Sequence, residues 1–273
     1  GVGETRRGGD DKTRRLMKWE PIGGCKWGMN RESIISMTSA HQQVVDDFWE
    51  KEMNVGPGWY GAVERVQLVE QELYSGVQFC LRNGRLVVAA PGKHVEWVRE
   101  RFGGKSVEEL FSVAMVRRLL APEVGEVLGP ARVQYADGTT FRFVPHGACR
   151  MLATGDEKQH RALVESLSAE ERALSGYEGD GAPAFGAFEK GELRAAASYE
   201  IWNGTIAHLM VATHPEARGR GFGRAVLSEL AEHALARGLV LQYRALAVNE
   251  KSLRLARALG FEERVETIYA RMR

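Results

Sequence analysis

Cysteine is too sparse in this sequence to build anything. The three cysteines, Cys25, Cys80 and Cys149, are far apart and odd in number. Neither a disulfide framework nor a zinc cluster follows from that spacing, and no metal is expected. A reducing cytoplasm is the compartment such usage fits most simply. No apolar run approaches the roughly twenty residues needed to span a bilayer. No stretch has the basic, apolar, small-residue order of a secretory signal. Charge of one sign is lacking too. With 37 Lys and Arg against 36 Asp and Glu, the net charge is +1, which argues against a basic surface for nucleic acid. There is no internal repeat and no low-complexity tract. What is present, 44% hydrophobic and 27% charged residues, is the balance of a globular protein. A length of 273 residues allows one large domain or two ordinary ones, each able to bury a core.

Residues 1–28 show no apolar period. Seven Lys and Arg against four Asp and Glu give this piece +3. It reads as a disordered or spurious extension, reaching about residue 37, with a basic gripping arm as the other reading. From 38 to 146 the pattern is mixed α and β. TSAHQQVVDDFWEKEM is a helix with Val44, Val45, Phe48 and Trp49 on one face. GVQFCLRNGRLVVAAP is a hairpin turning at Asn83-Gly84. KHVEWVRERF is a helix. SVEELFSVAMVRRLL is another, opened by a Ser106–Glu109 capping box. RVQYADGTTFRF reads as a second hairpin around Asp137-Gly138.

A boundary is expected near 146/147. The second half, 147–273, reads β-α-α-β-β-β-α-β-α-β, an α/β domain with a mixed sheet. Its strand turns fall at Glu189-Lys190-Gly191 and Asn203-Gly204. Its last helix starts at Asn249 as N-cap and stops at Gly260.

The segment PEARGRGFGRAV, 215–226, lies between a strand and a helix and holds Gly219, Gly221 and Gly223 among arginines. A helix N-terminus offers unpaired N–H groups and partial positive charge, a fit for phosphate. Glycine lets a ligand approach the backbone, and arginine adds charge-assisted donors. Taken alone, the glycines also fit a tight strand-to-helix turn. A Walker loop is excluded, because no G-x-x-x-x-G-K-[ST] occurs. A dinucleotide fingerprint fails twice. Arg224 stands where its third glycine belongs, and the next strand offers Leu241 and Gln242 instead of an acid. The pattern R/Q-x-x-G-x-G/A is met by Arg218, Gly221 and Gly223.

Downstream, Asn249-x-x-Ser252-x-x-Leu255 runs to Leu259-Gly260-Phe261. With Val211-Ala212-Thr213-x-Pro215-Glu216-x-Arg218-Gly219-x-Gly221-x-Gly223, this combination resembles the GNAT superfamily of N-acetyltransferases over about residues 147–273. The resemblance implies the acyl-CoA N-acyltransferase fold, a mixed twisted sheet with flanking helices. It implies acetyl-CoA as cosubstrate. Pantetheine would pair with the main chain of Val211 and Thr213, on a strand that bulges and splays from its neighbour. The pyrophosphate would lie in the cradle of Arg218, Gly219, Arg220, Gly221, Phe222, Gly223 and Arg224. Asn249 and Ser252 would contact the coenzyme from the next helix. The first half would be a second lobe, either a degenerate copy that walls the acceptor pocket or a stabilising appendage.

The implied reaction is direct attack of an amine on the thioester. The amine arrives as ammonium, with a pKa near ~10 for a lysine-like group, and must lose a proton. The family's usual tyrosine acid would fall at position 256, which here is alanine. A thiol pKa near ~8.5 lets the leaving group depart without an acid. For the base, His208 and Glu200 are the candidates, against plain roles as a sheet histidine and a turn carboxylate. Tyr243 offers a hydroxyl, and a water chain could replace any of them. The acceptor expected is a small-molecule amine, with no nucleic-acid or membrane partner. The alternatives are a protein lysine or N-terminal acetyltransferase, and a non-catalytic acyl-CoA-binding module.

Overall fold

The computed structural model describes residues 36–72, 75–179 and 183–273. The expected extension lies outside them up to residue 35, as does Cys25, but Met37, which that expectation included, is buried with Val45 and Trp49. Thr38 caps α1 (Ser39–Glu52) by accepting the N–H of His41. β1 (Val66–Glu70) precedes the hairpin of β2 (Gly76–Arg82) and β3 (Arg85–Ala90). Asn83 and Gly84 take φ of 50° and 70° in its turn, as a two-residue hairpin loop requires. Then come α2 (Gly92–Phe102), α3 (Val107–Leu110), α4 (Val113–Leu119) and β4 (Val124–Ala136). The second half supplies β5 (Cys149–Met151), α5 (Glu157–Glu165), α6 (Ala169–Ser175), β6 (Ala184–Glu189) and β7 (Glu192–Trp202). It ends with β8 (Ile206–Thr213), α7 (Phe222–Leu235), β9 (Val240–Leu246), α8 (Glu250–Ala258) and β10 (Glu262–Met272). The element order expected after 147 is the order observed, and the fold is a mixed α/β sheet flanked by helices.

Two readings of the first half are corrected. The helix expected over 106–120 is two helices. The Ser106–Glu109 capping box forms, but Ser112 accepts the N–H of Met115 and starts a new helix. The hairpin at Asp137-Gly138 does not form. The buried carboxylate of Asp137 instead accepts the N–H groups of Thr38, Thr139 and Thr140. That turn sends the chain away from β4, and Phe141 packs into the core beneath α7.

The described strands form one sheet in the order β1-β3-β2-β10-β4-β9-β8-β7-β6-β5. It continues without a break across 146/147, because each half's last strand pairs with the other half. β4 lies antiparallel to β9, and β10 lies antiparallel to β2, while β4 and β10 pair with each other. Residues 35–273 make one compact unit. Helices cover both faces, as the period of two demands. Ala207, Leu209, Leu241 and Tyr243 pack under α7 and α8. Ile206 and Val240 pack with Val45 and Trp49 of α1 on the opposite face. On that same opposite face, Met210 and Ala212 pack with Leu163 of α5.

Strand exchange of this kind couples the halves. Unfolding residues 35–273 in urea should give one transition with coincident fluorescence and circular-dichroism midpoints. Two separated transitions would show that the halves fold independently.

Candidate active site

β8 and β9 are parallel and adjacent, yet their pairing covers only Ile206–Val240 through Leu209–Tyr243. β8 continues to Thr213 and β9 to Leu246. The two strands therefore part at Leu209 and Tyr243. Against β7, by contrast, β8 stays in register from Ile206 to Thr213 without a shift. The expected splay is present, and the expected bulge is absent from that pairing.

The main chain of β8 shows which groups face the opening. Thr205 C=O accepts the N–H of Val240, on the β9 side, whereas His214 N–H donates to Arg194 C=O, on the β7 side. Backbone direction alternates along a strand. Odd-numbered Val211 and Thr213 thus turn their N–H and C=O groups into the fork, where β9 no longer pairs with them. Thr213 C=O accepts there from Arg218 Nε at 3.4 Å.

A cleft of about 1100 Å³ fills the fork. Val211 and Thr213, the loop from Arg218 to Arg224, and Asn249 and Ser252 of the α8 start all line it. So do His208, Tyr243 and, from the opposite wall, Leu167 and the α6 residues Glu171 and Leu174. The structure thus brings every residue expected at the coenzyme into one cleft. Glu200 is exposed and does not line it.

The three glycines have different physical reasons. Gly219 and Gly221 have φ of 74° and 90°, and a Cβ on either would meet nothing within 4 Å. They make the turn and leave open space beside the backbone. Gly223 is a packing residue, since a Cβ there would lie 2.6 Å from Thr213 Oγ1. It lets the first turn of α7 sit against β8. Gly221 caps α7 without a side-chain hydrogen bond. The first helical bond is Ala225 N–H to Gly221 C=O, so the N–H groups of Phe222, Gly223 and Arg224 have no acceptor within the helix. They give the cleft a partial positive end.

Cations outnumber anions around this end. Arg218, Arg220, Arg224, Arg244, Lys251 and Arg254 line the cleft, against Glu171 alone among its carboxylates. Arg218 Nη1 lies 2.5 Å from Glu171 Oε1. Hydrogen bonding to Arg218 holds the Glu171 carboxyl down at about 2. Arg220 pairs with Glu189 and lies over the Phe222 ring. Asn249 accepts the N–H of Ser252 through its side-chain carbonyl, as an N-cap does. This cap leaves the Asn249 amide nitrogen for another partner, while the Ser252 hydroxyl bonds Tyr243.

Two polar side chains flank the point where the strands part. Tyr243 is 6% exposed. Burial raises its pKa, and a hydrogen bond from Ser252 opposes that. Ser252 and Ala256 are one turn apart on α8, on the same face. Tyr243 therefore brings a phenol from the strand toward the side of α8 where position 256 has no hydroxyl. His208 stands opposite, on the α1 side of the sheet. Its Nδ1 is 2.7 Å from Gln242 Oε1, and its ring stacks on Trp202 at 4.1 Å and 12°. Burial pushes its pKa down to about 4, against a weaker upward pull from Gln242. His208 is thus neutral at pH 7. Glu200 is its cross-strand neighbour on β7, but its carboxylate accepts from Trp202 Nε1 at 3.2 Å. Sequence reasoning missed Trp202, Gln242, Tyr135 and Trp49 as its surroundings. Period-two placement of 208 and 242 was the available signal, but the pairing of β4 with β9 could not be read.

Among the described residues, no group of three His, Cys, Asp or Glu side chains could hold a metal ion. Among them also, no helix is long and apolar enough to cross a membrane.

Two tests follow from this geometry. Gly221→Ala forces a side chain into a left-handed conformation and should cost about 1–2 kcal/mol in urea unfolding. Gly223→Val should cost about 1–3 kcal/mol by pushing α7 from Thr213. Unchanged stability in both would refute the assigned roles. Acid should also act through His208. The unfolded chain protonates it near ~6.5, whereas the folded chain resists until about 4. Stability should therefore fall as pH drops from ~6.5 toward 4, and His208→Gln should flatten that loss.

The sequence profile of the acetyltransferase (GNAT) family matches residues 151–261. No curated protein matches the chain. Among solved structures, a GNAT-family protein of Novosphingobium aromaticivorans is 25% identical with a TM-score of 0.43, covering 54% of this chain and 65% of its own. A GNAT-family acetyltransferase of Colwellia psychrerythraea is 17% identical with a TM-score of 0.48, covering 72% and 81%. A Salmonella typhimurium protein solved with its cofactor acetyl-CoA is 22% identical with a TM-score of 0.33, covering 45% and 90%. The chain thus spans just under two thirds of the Novosphingobium protein. The family profile spans the fork, the glycine loop and the start of α8, and the chain carries an acetyltransferase domain of the GNAT family over residues 151–261.

Proposed function

We propose that the protein transfers an acetyl group from acetyl-CoA directly to the primary amine of a small molecule in the cytoplasm. The observation that carries this reading is the open fork between β8 and β9, with the unpaired start of α7 at its mouth. Acetyl-CoA supplies an activated thioester to an attacking nitrogen. The residues present fit it. Val211 and Thr213 offer extended main chain in the fork. The N–H groups of Phe222, Gly223 and Arg224, which lack acceptors in the helix, open beside the Cβ-free Gly219 and Gly221, where a pyrophosphate would fit. Asn249 and Ser252 close the cleft from α8.

The chain's own residues divide the proton work. His208 is neutral and stands in the cleft wall, so it can accept the amine proton as attack makes that proton acidic. A histidine with a pKa of about 4 is a poor base toward a free ammonium, so the acceptor must reach it as the neutral amine. Glu200 is bound to the Trp202 indole outside the cleft lining, and acts on His208 through its charge. Tyr243, neutral and buried, can donate to the departing sulfur in place of the residue missing at 256. The first half, through α1 and β4, backs the acceptor side at His208.

A small acceptor fits the lining better than a basic protein segment. Such a segment calls for acidic walls, and the single lining carboxylate, Glu171, is held by Arg218.

Thiol release with acetyl-CoA and a panel of amines tests the reading. Turnover with a small amine is expected. His208→Gln should lower kcat by about 10²–10⁴-fold, and Tyr243→Phe should lower it with little change in KM for acetyl-CoA. No turnover with small amines, but turnover with peptides, would favour a protein acceptor. Binding without turnover on any amine or peptide would leave the non-catalytic module.

A further inference from the structure

Four polar side chains run in a line beneath the fork. Trp49 Nε1 on α1 donates to Tyr135 Oη at 2.7 Å. Gln242 Nε2 on β9 donates to the same oxygen at 2.6 Å. Gln242 Oε1 lies 2.7 Å from His208 Nδ1. Once the amide nitrogen is engaged with Tyr135, the amide oxygen facing His208 can only accept. Nδ1 must then carry the proton. A neutral imidazole has one N–H, so Nε2 is left as a bare lone pair.

The ring is held on its face as well. Phe48, Trp202 and His208 stack in a column, with spacings of 5.9 Å and 4.1 Å and interplanar angles of 16° and 12°. Stacking fixes the ring plane, and Gln242 fixes which edge points inward. His208 lines the cleft, and its Nε2 is not among the buried polar atoms without a partner. The charged groups acting on His208 are Glu200 from β7 and Arg244 from β9, with opposite signs.

We infer that Gln242 is a positioning residue that holds His208 as the Nδ1–H tautomer and so presents the Nε2 lone pair to the acceptor side of the cleft. Tyr135 and Trp49, from the other half of the chain, orient the Gln242 amide. The inference rests on the proposed role of His208 as proton acceptor, but the tautomer can be read without any acceptor or cosubstrate. No group is consumed. His208 Nε2 gains the amine proton as the carbon–nitrogen bond forms and the carbon–sulfur bond breaks, and the sulfur takes the electron pair.

The test is long-range proton–nitrogen NMR on the nitrogen-15-labelled full chain at neutral pH. Wild-type His208 should show a protonated Nδ1 and a bare Nε2. Gln242→Met should move the population toward Nε2–H and lower kcat roughly 10-fold or more, with KM for acetyl-CoA unchanged. Gln242→Glu puts a carboxylate on Nδ1–H, favours the imidazolium, and should raise the His208 titration midpoint. Wild-type protein protonated on Nε2 would overturn the inference whether or not the Met variant folds. So would an unmoved midpoint in folded Gln242→Glu. If the tautomer is as stated but His208→Gln retains full activity, the failure lies with the catalytic role and not with the lock.

Discussion

The divergence of β8 from β9 is the constraint on which the rest of this structure depends. Two parallel strands that stay paired would bury their main-chain groups in each other. Here the pairing ends at Leu209 and Tyr243, and the polar main chain beyond it is left for something else. The loop from Pro215 to Gly221 and then α7 follow directly from β8, so the unpaired helix start falls at the same opening. Gly223 makes that placement tight, because α7 meets Thr213 where a larger residue would collide. One geometric event thus sets strand backbone, helix N-terminus and cationic side chains around a single cleft.

The fork needs support from outside, since β9 loses a partner on one side. β4 supplies it on the other, pairing with β9 from Ala131–Leu246 to Ala136–Leu241. β10 in turn locks β4 and β2 together. The half that lacks the glycine loop is therefore not peripheral to the site. It braces β9 through hydrogen bonds and reaches His208 through Trp49, Tyr135 and Gln242. The Arg218–Glu171 pair ties the loop to α6 across the cleft. A ligand phosphate would compete for that arginine.

Much of this was legible in the sequence where the signal is local. The Asn83-Gly84 turn, the Ser106–Glu109 capping box and the Asn249 cap are each decided by side chains within a few residues, and each forms. The glycine loop was legible for the same reason. Gly219 and Gly221 take positive φ at the open surface, though Gly223 proved to answer to packing. What failed was non-local. Asp137-Gly138 has the residues of a hairpin turn, but the Asp137 carboxylate accepts the N–H of Thr38, 99 residues back in the sequence, and β4 found its partners in the other half. The Ser112 cap was hidden inside an amphipathic run that also suits one long helix. Gln242 was noticed only as the wrong residue for a nucleotide site. Its value as a partner for His208 depends on strand register, which no local pattern contains.

Thermal unfolding of the protein with acetyl-CoA, free CoA and NAD tests the central claim most directly. A ligand at a hundred times its dissociation constant adds about 2.7 kcal/mol to stability. If the fork and loop form a coenzyme A site, both CoA species should raise the midpoint and NAD should not. No shift with either CoA species in folded protein, or an equal shift with NAD, would contradict the account.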